Sequence, residues 1–220
     1  METLSTATGT GRKRRGEGHT RRDEILHAAK ELFLTDGYQA TTIRKIADRV
    51  GVSAPALYLY FADKEAIMIA LCDQTFGFLI EEMTELERLD LAPVDRLTRC
   101  GECYIRFGLQ HPQEYWLTFM SGQTPQKIRQ SGGHRADVTD PGAAGAAGAI
   151  AFNKVVGMLK EIEASGTKLN YPAETAAELV WMGLHGLVAA LINNPDFPWS
   201  PREVLIRGVL DMALKGMLAD

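Results

Sequence analysis

The chain has 220 residues, of which 45% are hydrophobic and 24% charged. This is the composition of an ordinary globular protein with a sizeable core, and it excludes disordered, collagen-like and disulfide-built chains. The net charge of -4 is unevenly placed. Residues 1–64 hold 11 basic and 8 acidic residues, giving +3, whereas residues 65–220 hold 13 and 20, giving -7.

Residues 1–18 are rich in Gly, Thr and charge, and we expect a disordered basic arm. Its cations are Arg12, Lys13, Arg14 and Arg15. The basic N-terminal part of an otherwise acidic chain predicts that this part binds a polyanion. A basic segment that only increases solubility explains the charge equally well. The polar N-terminus lacks a signal-peptide pattern and three cysteines need no oxidising compartment, so we expect a cytoplasmic protein.

Four helices are predicted between residues 20 and 89. Each has a start or stop signal: a Thr, Ser or Asp cap at its N-terminus, or a Gly after its last turn. Pro55 fits the first turn of the third helix, where its missing N–H costs little. The predicted bounds are Thr20 to Gly37, Thr41–Thr42 to Gly51, Ser53 to about Tyr60, and Asp63 to about Leu89.

Five further helices are predicted to begin at or next to a proline, and no stretch alternates long enough to indicate a strand. The class is therefore all-α with nine helices. The apolar stretch 179–192 is too short to span a bilayer and indicates a buried helix. Residues 121–139 form a polar loop, either a gate beside a cavity or a segment without a role. The predicted bounds are Pro93 to Leu109, Pro112 to Met120, Asp140–Pro141 to Ala164, Pro172 to Ile192, and Ser200–Pro201 to Leu218.

The strongest signal is a pair of short helices joined through Gly51. A small Ala47 allows the helices to approach, Gly51 supplies a positive φ, and Val50 and Val52 anchor the pair to the core. This is the pattern of a helix-turn-helix, whose second helix enters the major groove of DNA. The pattern also occurs in proteins that bind no DNA.

The linked set of 37–47, 51–53, 57–61 and 63–65 closely resembles the N-terminal domain of the TetR family of transcriptional repressors. The resemblance implies an all-helical homodimer with a disordered arm (1–18), a DNA-binding domain (19–65) and an effector-binding and dimerisation domain (66–220). Residues 181–187 also look like the Trp–His–Gly signature of one class of TetR-family C-terminal domains.

The resemblance assigns DNA contacts to the start of the second helix, to the third helix and to the head of the fourth. The third helix has no Lys, Arg, Asn or Gln, so the bidentate donors that read guanine and adenine are missing there. We expect readout by van der Waals contacts, Tyr hydroxyls, Arg44 and DNA shape, with the arm adding salt-dependent contacts. Besides the arm, the candidates are Thr42, Arg44, Ser53, Ala54, Pro55, Ala56, Tyr58, Leu59, Tyr60 and Lys64. The alternative for Tyr58 is an aromatic residue in the core. The alternative for Lys64 is a solvated charge in the first turn of the helix.

The central helices are rich in aromatic residues and methionine. Most are ordinary core, but a subset around an apolar cavity suits a small hydrophobic or aromatic effector. His185 is a pocket donor, a hydrogen-bonded core residue or part of an interface. The candidates are Phe76, Tyr104, Phe107, Trp116, Phe119, Met120, Phe152, Trp181 and His185.

The last two helices are predicted to form the dimer element as a four-helix interface, with an intramolecular core as the alternative. The candidate interface residues recur at helical spacing. They are Leu184, Val188, Leu191, Leu205, Val209 and Met212.

No catalytic constellation, metal-ligand spacing or cofactor motif is present, so no enzyme activity, metal or cofactor is expected. Cys100 and Cys103 are expected to be buried structural thiols, with a redox switch as the alternative. The sequence predicts a repressor that a small effector releases from a palindromic operator. The alternative is a helical small-molecule binding protein whose specific DNA binding is weak or lost.

Overall fold

The structure, a computed structural model, describes residues 17–123 and 140–219. Within these ranges it contains nine α-helices, one π-helical turn and a single β-bridge between Leu169 and Leu218. The chain divides into two compact units, residues 1–63 and 64–220. The predicted all-α class is confirmed.

The first unit contains α1 (Glu17–Thr35), α2 (Ile43–Val50) and α3 (Ala54–Leu57). The prediction that Thr20 caps α1 is wrong, because the helix is already formed at Glu17. Residues 17 and 18, expected in the disordered arm, are therefore helical, and the rest of the arm lies outside the described residues. The α-helical part of α3 is shorter than predicted, since turns replace it beyond Leu57.

A buried threonine ties α1 to α2. Thr41 is completely buried, and its hydroxyl lies 2.8 Å from the carbonyl oxygen of Gly37 and 3.1 Å from that of Leu32, so it donates to this pair. The surrounding core includes Phe33 and Ile46. Burying a hydroxyl is tolerated here because it is hydrogen-bonded. The entry to α2 is thereby fixed relative to the end of α1.

The second unit contains α4 to α9. Their bounds are α4 (Lys64–Glu87), α5 (Pro93–Gln110), α6 (Pro112–Tyr115) with a π-helical turn over Trp116–Met120, α7 (Ala147–Ala164), α8 (Ala173–Asn193) and α9 (Arg202–Met217).

The predicted start of α7 at Asp140 is wrong by seven residues. The Asp140 carboxylate accepts from the N–H of Gly142 at 2.9 Å, which closes a local turn instead of a helix. Gly145 then adopts φ +87°, a left-handed conformation that a continuous helix cannot contain. The helix therefore begins only at Ala147. Most of the predicted loop, residues 124–139, lies outside the described residues.

Helix α5 packs against α4, α7, α8 and α9 and forms the centre of the second unit. Helix α8 also contributes to this core. It has 21 residues and is longer than the apolar stretch 179–192, which was predicted to be too short to span a bilayer. By length and composition it is the one described helix that could cross a membrane. Within the protomer it packs on α5, α7 and α9.

A close approach between α5, α6 and α8 depends on Gly108. A Cβ atom there would lie 2.5 Å from Val188 Cγ1 and 2.9 Å from Tyr115 Cδ2, and both partners are fully buried. We predict that Gly108→Ala lowers the free energy of unfolding by about 1–3 kcal/mol through overpacking. The matched control Gly77→Ala, where a Cβ meets nothing within 4 Å, should be neutral or stabilising. Chemical denaturation measures both, and equal effects would contradict the packing argument.

Candidate nucleic-acid interface and ligand cavity

The turn between α2 and α3 is capped at every junction. The Thr42 side chain accepts from the N–H of Lys45 at 3.2 Å, and the Ser53 side chain accepts from the N–H of Ala56 at 3.3 Å. Gly51 adopts φ +74° and its N–H bonds back into the last turn of α2. The predicted caps and the predicted glycine turn are confirmed. The local sequence therefore forms a complete helix-turn-helix.

The end of this element presents apolar and aromatic surface to solvent. Leu57 is fully buried, whereas Tyr58 is 54% exposed and Leu59 is 84% exposed. The alternative of a core position for Tyr58 is therefore wrong. Tyr60, Ala54 and Ala56 are half-buried, and Ser53 and Pro55 are exposed.

The cations of α2 differ in their partners. Lys45 Nζ lies 2.9 Å from Asp36 Oδ2, and Arg49 Nη1 lies 3.1 Å from Glu31 Oε2. The hydrogen bond from Lys45 is the main reason that the pKa of Asp36 is lowered. Arg44 is exposed and makes no ion pair within the described part of the chain. Arg44 is therefore available to an external anion.

Lys64 opens α4 and is half-buried. Desolvation by burial lowers its pKa. Both interpretations of Lys64, as a phosphate contact and as a solvated first-turn charge, stay predictions.

Sequence reasoning missed one contact in the first unit. The guanidinium carbon of Arg22, on α1, lies 5.0 Å from the centroid of the Phe61 ring, a cation–π contact. The two residues are 39 positions apart. No local pattern links them, so only the fold reveals the pair.

The second unit forms a partly open cavity of about 250 Å³ between α4, α5, α7, α8 and the π-helical turn. Five of the nine candidate effector residues line it: Phe76, Tyr104, Phe119, Phe152 and Trp181. The other four candidates are not among its lining residues. Phe107 stacks with Phe78 and His111, and Trp116 is partly exposed, while Met120 and His185 also lie outside the lining.

Four side chains form a hydrogen-bonded chain that begins at the cavity lining with Trp181 and Tyr104 and continues to two residues outside the lining. Trp181 Nε1 donates to Tyr104 Oη at 3.1 Å, the two tyrosine hydroxyls lie 2.9 Å apart, and Tyr115 Oη lies 2.7 Å from His185 Nδ1. With a neutral His185 accepting at Nδ1, Trp181 donates to Tyr104, Tyr104 donates to Tyr115, and Tyr115 donates to His185. His185 is therefore half-buried and hydrogen-bonded to Tyr115, and it is not among the residues that line the cavity.

Burial determines the protonation states of the two tyrosines and the histidine in this hydrogen-bonded chain. It raises the pKa of Tyr104 to about 12, it also raises the pKa of Tyr115, and it lowers the pKa of His185. All four groups are therefore neutral near pH 7. A protonated His185 would have to donate at Nδ1, which reverses the chain and leaves the Tyr104 hydroxyl proton without an acceptor within it.

The cysteines are free and buried. Burial raises the pKa of Cys72 and Cys100 to about 12, and it also raises that of Cys103, which lies beside Glu82 and Arg106. Such thiols carry little thiolate at neutral pH. The description of Cys100 and Cys103 as buried thiols is confirmed. Within the described residues, no group of three or more His, Cys, Asp or Glu is placed to hold a metal.

The candidate interface residues of α8 and α9 divide into three groups. Leu184 and Val188 are 4% and 0% exposed within one protomer, so their assignment to an interface is wrong: they face α5 and the core. Leu191, Leu205 and Val209 are half-buried. Met212 is 74% exposed, and Met182 and Val204 are exposed as well.

A capped helix-turn-helix followed by a helical unit around an apolar cavity defines a two-part regulator of the helix-turn-helix class. Residues 25–71 match the family of bacterial regulatory proteins described as the tetR family. Residues 97–212 match the tetracyclin repressor-like C-terminal domain. The chain belongs to the TetR family. The Trp–His–Gly class of residues 181–187 stays a prediction.

Two relatives are similar over parts of the chain. The HTH-type transcriptional activator FasR of Mycolicibacterium smegmatis is 33% identical over 113 residues, 51% of this chain and 52% of FasR. The fatty acid metabolism regulator protein of Bacillus subtilis is 40% identical over 62 residues, 28% of this chain and 32% of that protein. The chain thus matches about half or less of the length of these relatives.

Two solved structures share the fold. The fatty acid degradation regulator FadR of Bacillus halodurans has a TM-score of 0.72 at 18% identity, covering 93% of this chain and 98% of that one. FadR of Bacillus subtilis in complex with stearoyl-CoA has a TM-score of 0.71 at 22% identity, covering 88% and 98%. At these identities the likeness shows the fold alone.

The depressed pKa of His185 predicts a pH dependence of stability. The pKa of His185 is near 6.5 in the unfolded chain and lower in the folded protein. Between these two pKa values the unfolded chain binds more protons than the folded protein. The free energy of unfolding is therefore highest above pH 6.5 and falls as the pH drops towards the folded pKa. His185→Asn keeps an acceptor for Tyr115 but cannot titrate. Denaturant unfolding at pH 7.5 and 5.5 should show a larger loss in the native protein than in the variant. Equal losses of the free energy of unfolding in the native protein and in the variant would contradict the depressed pKa of His185.

Proposed function

We propose that the protein is a DNA-binding transcriptional regulator, a repressor that a small hydrophobic effector releases from a palindromic operator. The observation that carries the proposal is the exposed Tyr58–Leu59 surface at the end of a fully capped helix-turn-helix. The exposure of these two side chains leaves them available to contact base edges in a groove of DNA. The proposed role requires no catalytic step and places the protein in the cytoplasm.

The proposed contact with DNA divides into phosphate and base contributions. Thr42 and the N–H groups at the start of α2 bind a phosphate, as helix N-termini do, and beside them Arg44 supplies a guanidinium that has no ion pair among the described residues. Tyr58 and Leu59 enter the groove, where Leu59 contacts thymine methyl groups. Ser53, Ala54, Pro55, Ala56 and Tyr60 support this surface, and Lys64 adds a phosphate contact. The arm cations Arg12 to Arg15 lie outside the described residues and contribute salt-dependent affinity.

The proposed homodimer uses an apolar face that the protomer leaves open. Met182 and Gly186 on α8, and Val204, Gly208 and Met212 on α9, recur at intervals of four residues. The three large side chains are exposed, and a Cβ at either glycine would meet nothing within 4 Å. We define this set as the α8–α9 face. Small residues let a second pair of helices approach closely, which supports a four-helix interface.

The proposed response to the effector is a population shift. Helix α4 follows the helix-turn-helix directly in the chain and also lines the cavity with Phe76 and Leu79. An effector that prefers a conformer with the wrong spacing of the two DNA-binding units lowers operator affinity by its differential affinity for the two conformers. The names of the relatives, a fatty acid metabolism regulator and a FadR in complex with stearoyl-CoA, support an effector with an aliphatic chain.

Two substitutions test the DNA interface in gel shifts on the DNA upstream of the protein's own gene. Tyr58→Ala should weaken specific binding about tenfold or more through lost groove contact.

Arg44→Ala should weaken specific and non-specific binding alike and reduce the slope of log affinity against log salt by about one. Arg88→Ala, an exposed arginine that pairs with Glu85 on α4, is the control. A native protein without a specific band at any salt concentration would instead favour a small-molecule binding protein that has lost DNA binding.

The dimer proposal is tested on the same face. Met212→Glu should place a charge in the interface and shift the protein from dimer to monomer, as measured by analytical ultracentrifugation. Leu89→Glu, which alters another exposed apolar residue but lies outside α8 and α9, should leave the dimer intact. A dimeric Met212→Glu protein of unchanged dissociation constant would refute the α8–α9 face.

A further inference from the structure

The cavity is elongated, and the residues of α4 that line it indicate its length. Cys72, Asp73, Phe76, Leu79 and Met83 all line it from this one helix. Asp73 and Met83 are ten residues apart, which corresponds to about 15 Å at the rise of an α-helix. The cavity therefore extends along about three turns of α4.

The neighbouring helices give the cavity two distinct ends. Helix α7 starts beside Asp73, because the N–H of Gly145 donates to Asp73 Oδ2 at 2.8 Å. It reaches the other end of α4 where Lys154 Nζ pairs with Glu87 at 2.8 Å. Helix α5 runs in the opposite sense, since Arg106 pairs with Glu82 and Phe107 stacks with Phe78. Leu97, one of the lining residues in the first turns of α5, therefore lies at the Met83 end.

The volume of the cavity limits the size of an occupant. A cavity of about 150 Å³ holds benzene, with six carbons, so 250 Å³ corresponds to about ten carbons. Extended chains advance about 1.2 Å per bond, so ten carbons in a line span about 11 Å. A compact bicyclic molecule of ten carbons would leave much of the 15 Å length empty. An extended single chain is the shape that satisfies both the volume and the length.

The two ends differ in polarity. The Met83 end is apolar, with Leu79 and Leu97 as further lining residues. The opposite end has the Asp73 carboxylate, and Thr118 is close by because its side chain hydrogen-bonds with Cys72. Among the described lining residues there is no Lys, Arg or His. An anionic head group at this end would meet a carboxylate without a cation from the described lining.

We propose that the cavity takes an unbranched aliphatic chain of about ten carbons, with its methyl end against Met83 and Leu97 and an uncharged, hydrogen-bonding head group beside Asp73. This inference deepens the proposed function and rests on it for the role of the ligand as effector. It sets this protein apart from a regulator that holds an eighteen-carbon chain. Asp73 acts as the residue that selects the head group, and Met83 as the residue that limits chain length.

Chain length is tested with N-methyl alkanamides of 6, 8, 10, 12 and 16 carbons, titrated calorimetrically below their micellar concentrations. Each added methylene should raise affinity about fourfold up to about ten carbons. Affinity should then fall, so that the sixteen-carbon amide binds at least about tenfold more weakly than the best ligand, because overfilling a packed cavity is unfavourable. Affinity that rises up to sixteen carbons would overturn the size limit.

The head group is tested by comparing N-methyldecanamide with decanoate at pH 7.5. The native protein should bind the amide about tenfold or more tightly than decanoate. Asp73→Asn keeps an oxygen acceptor for Gly145 but removes the charge, so the ratio should approach one. Decanoate binding as tightly as the amide in the native protein, or an unchanged ratio in Asp73→Asn, would overturn the role of Asp73.

Met83→Ala tests the closed end and does not depend on the head group. It removes three heavy atoms from the cavity wall, and the optimal chain should lengthen by about two or three carbons. Leu86→Ala, a truncation of a buried α4 residue outside the cavity lining, should leave the optimum unchanged. An unchanged optimum in Met83→Ala would refute its role.

Operator binding is measured separately by gel shift. Operator binding without binding of any alkanamide would refute this inference and leave the DNA-binding proposal standing. Alkanamide binding by a protein that binds no operator would refute the proposed function and leave the ligand class intact.

Discussion

The hydrogen-bonded chain from Trp181 through Tyr104 and Tyr115 to His185 is the interaction on which the second unit depends. It joins α8, α5 and α6 and returns to α8, so it fixes three helices at one place. The two tyrosine hydroxyls at its centre are buried, and each of them both accepts and donates a hydrogen bond, which offsets the cost of burying them. The rings around them then form a rigid aromatic wall, and the cavity remains open in front of it.

The same constraint explains how a ligand can act at a distance. Helices α4 and α7 line the cavity but take no part in this hydrogen-bonded chain, so we propose that an occupant acts mainly through them. Asp73 on α4 is bonded to Gly145 before α7, so the two elements respond together. Helix α4 continues directly from the helix-turn-helix in the chain, which is why we propose it as the element that transmits the effector signal.

Local signals in the sequence predicted much of the fold. The caps at Thr42 and Ser53 and the left-handed Gly51 are determined by neighbouring residues, so the helix-turn-helix could be recognised without the structure. The predicted start of α7 was wrong because Asp140 closes a local turn with Gly142, and because Gly145 takes a left-handed conformation while bonded to Asp73, a contact that only the folded chain shows. Periodicity also could not decide which apolar residues of α8 face inward. Val188 turned out to pack on Gly108, a residue 80 positions earlier in the chain.

The central claim is that occupation of the cavity and binding to the operator are coupled. Reciprocal linkage tests it most directly: the dissociation constant of N-methyldecanamide is measured for the free protein and for the operator complex, and that of the operator with and without saturating amide. The account predicts that each ligand weakens the other by the same factor, about fivefold or more. Two dissociation constants that are unaffected by the other ligand would contradict it.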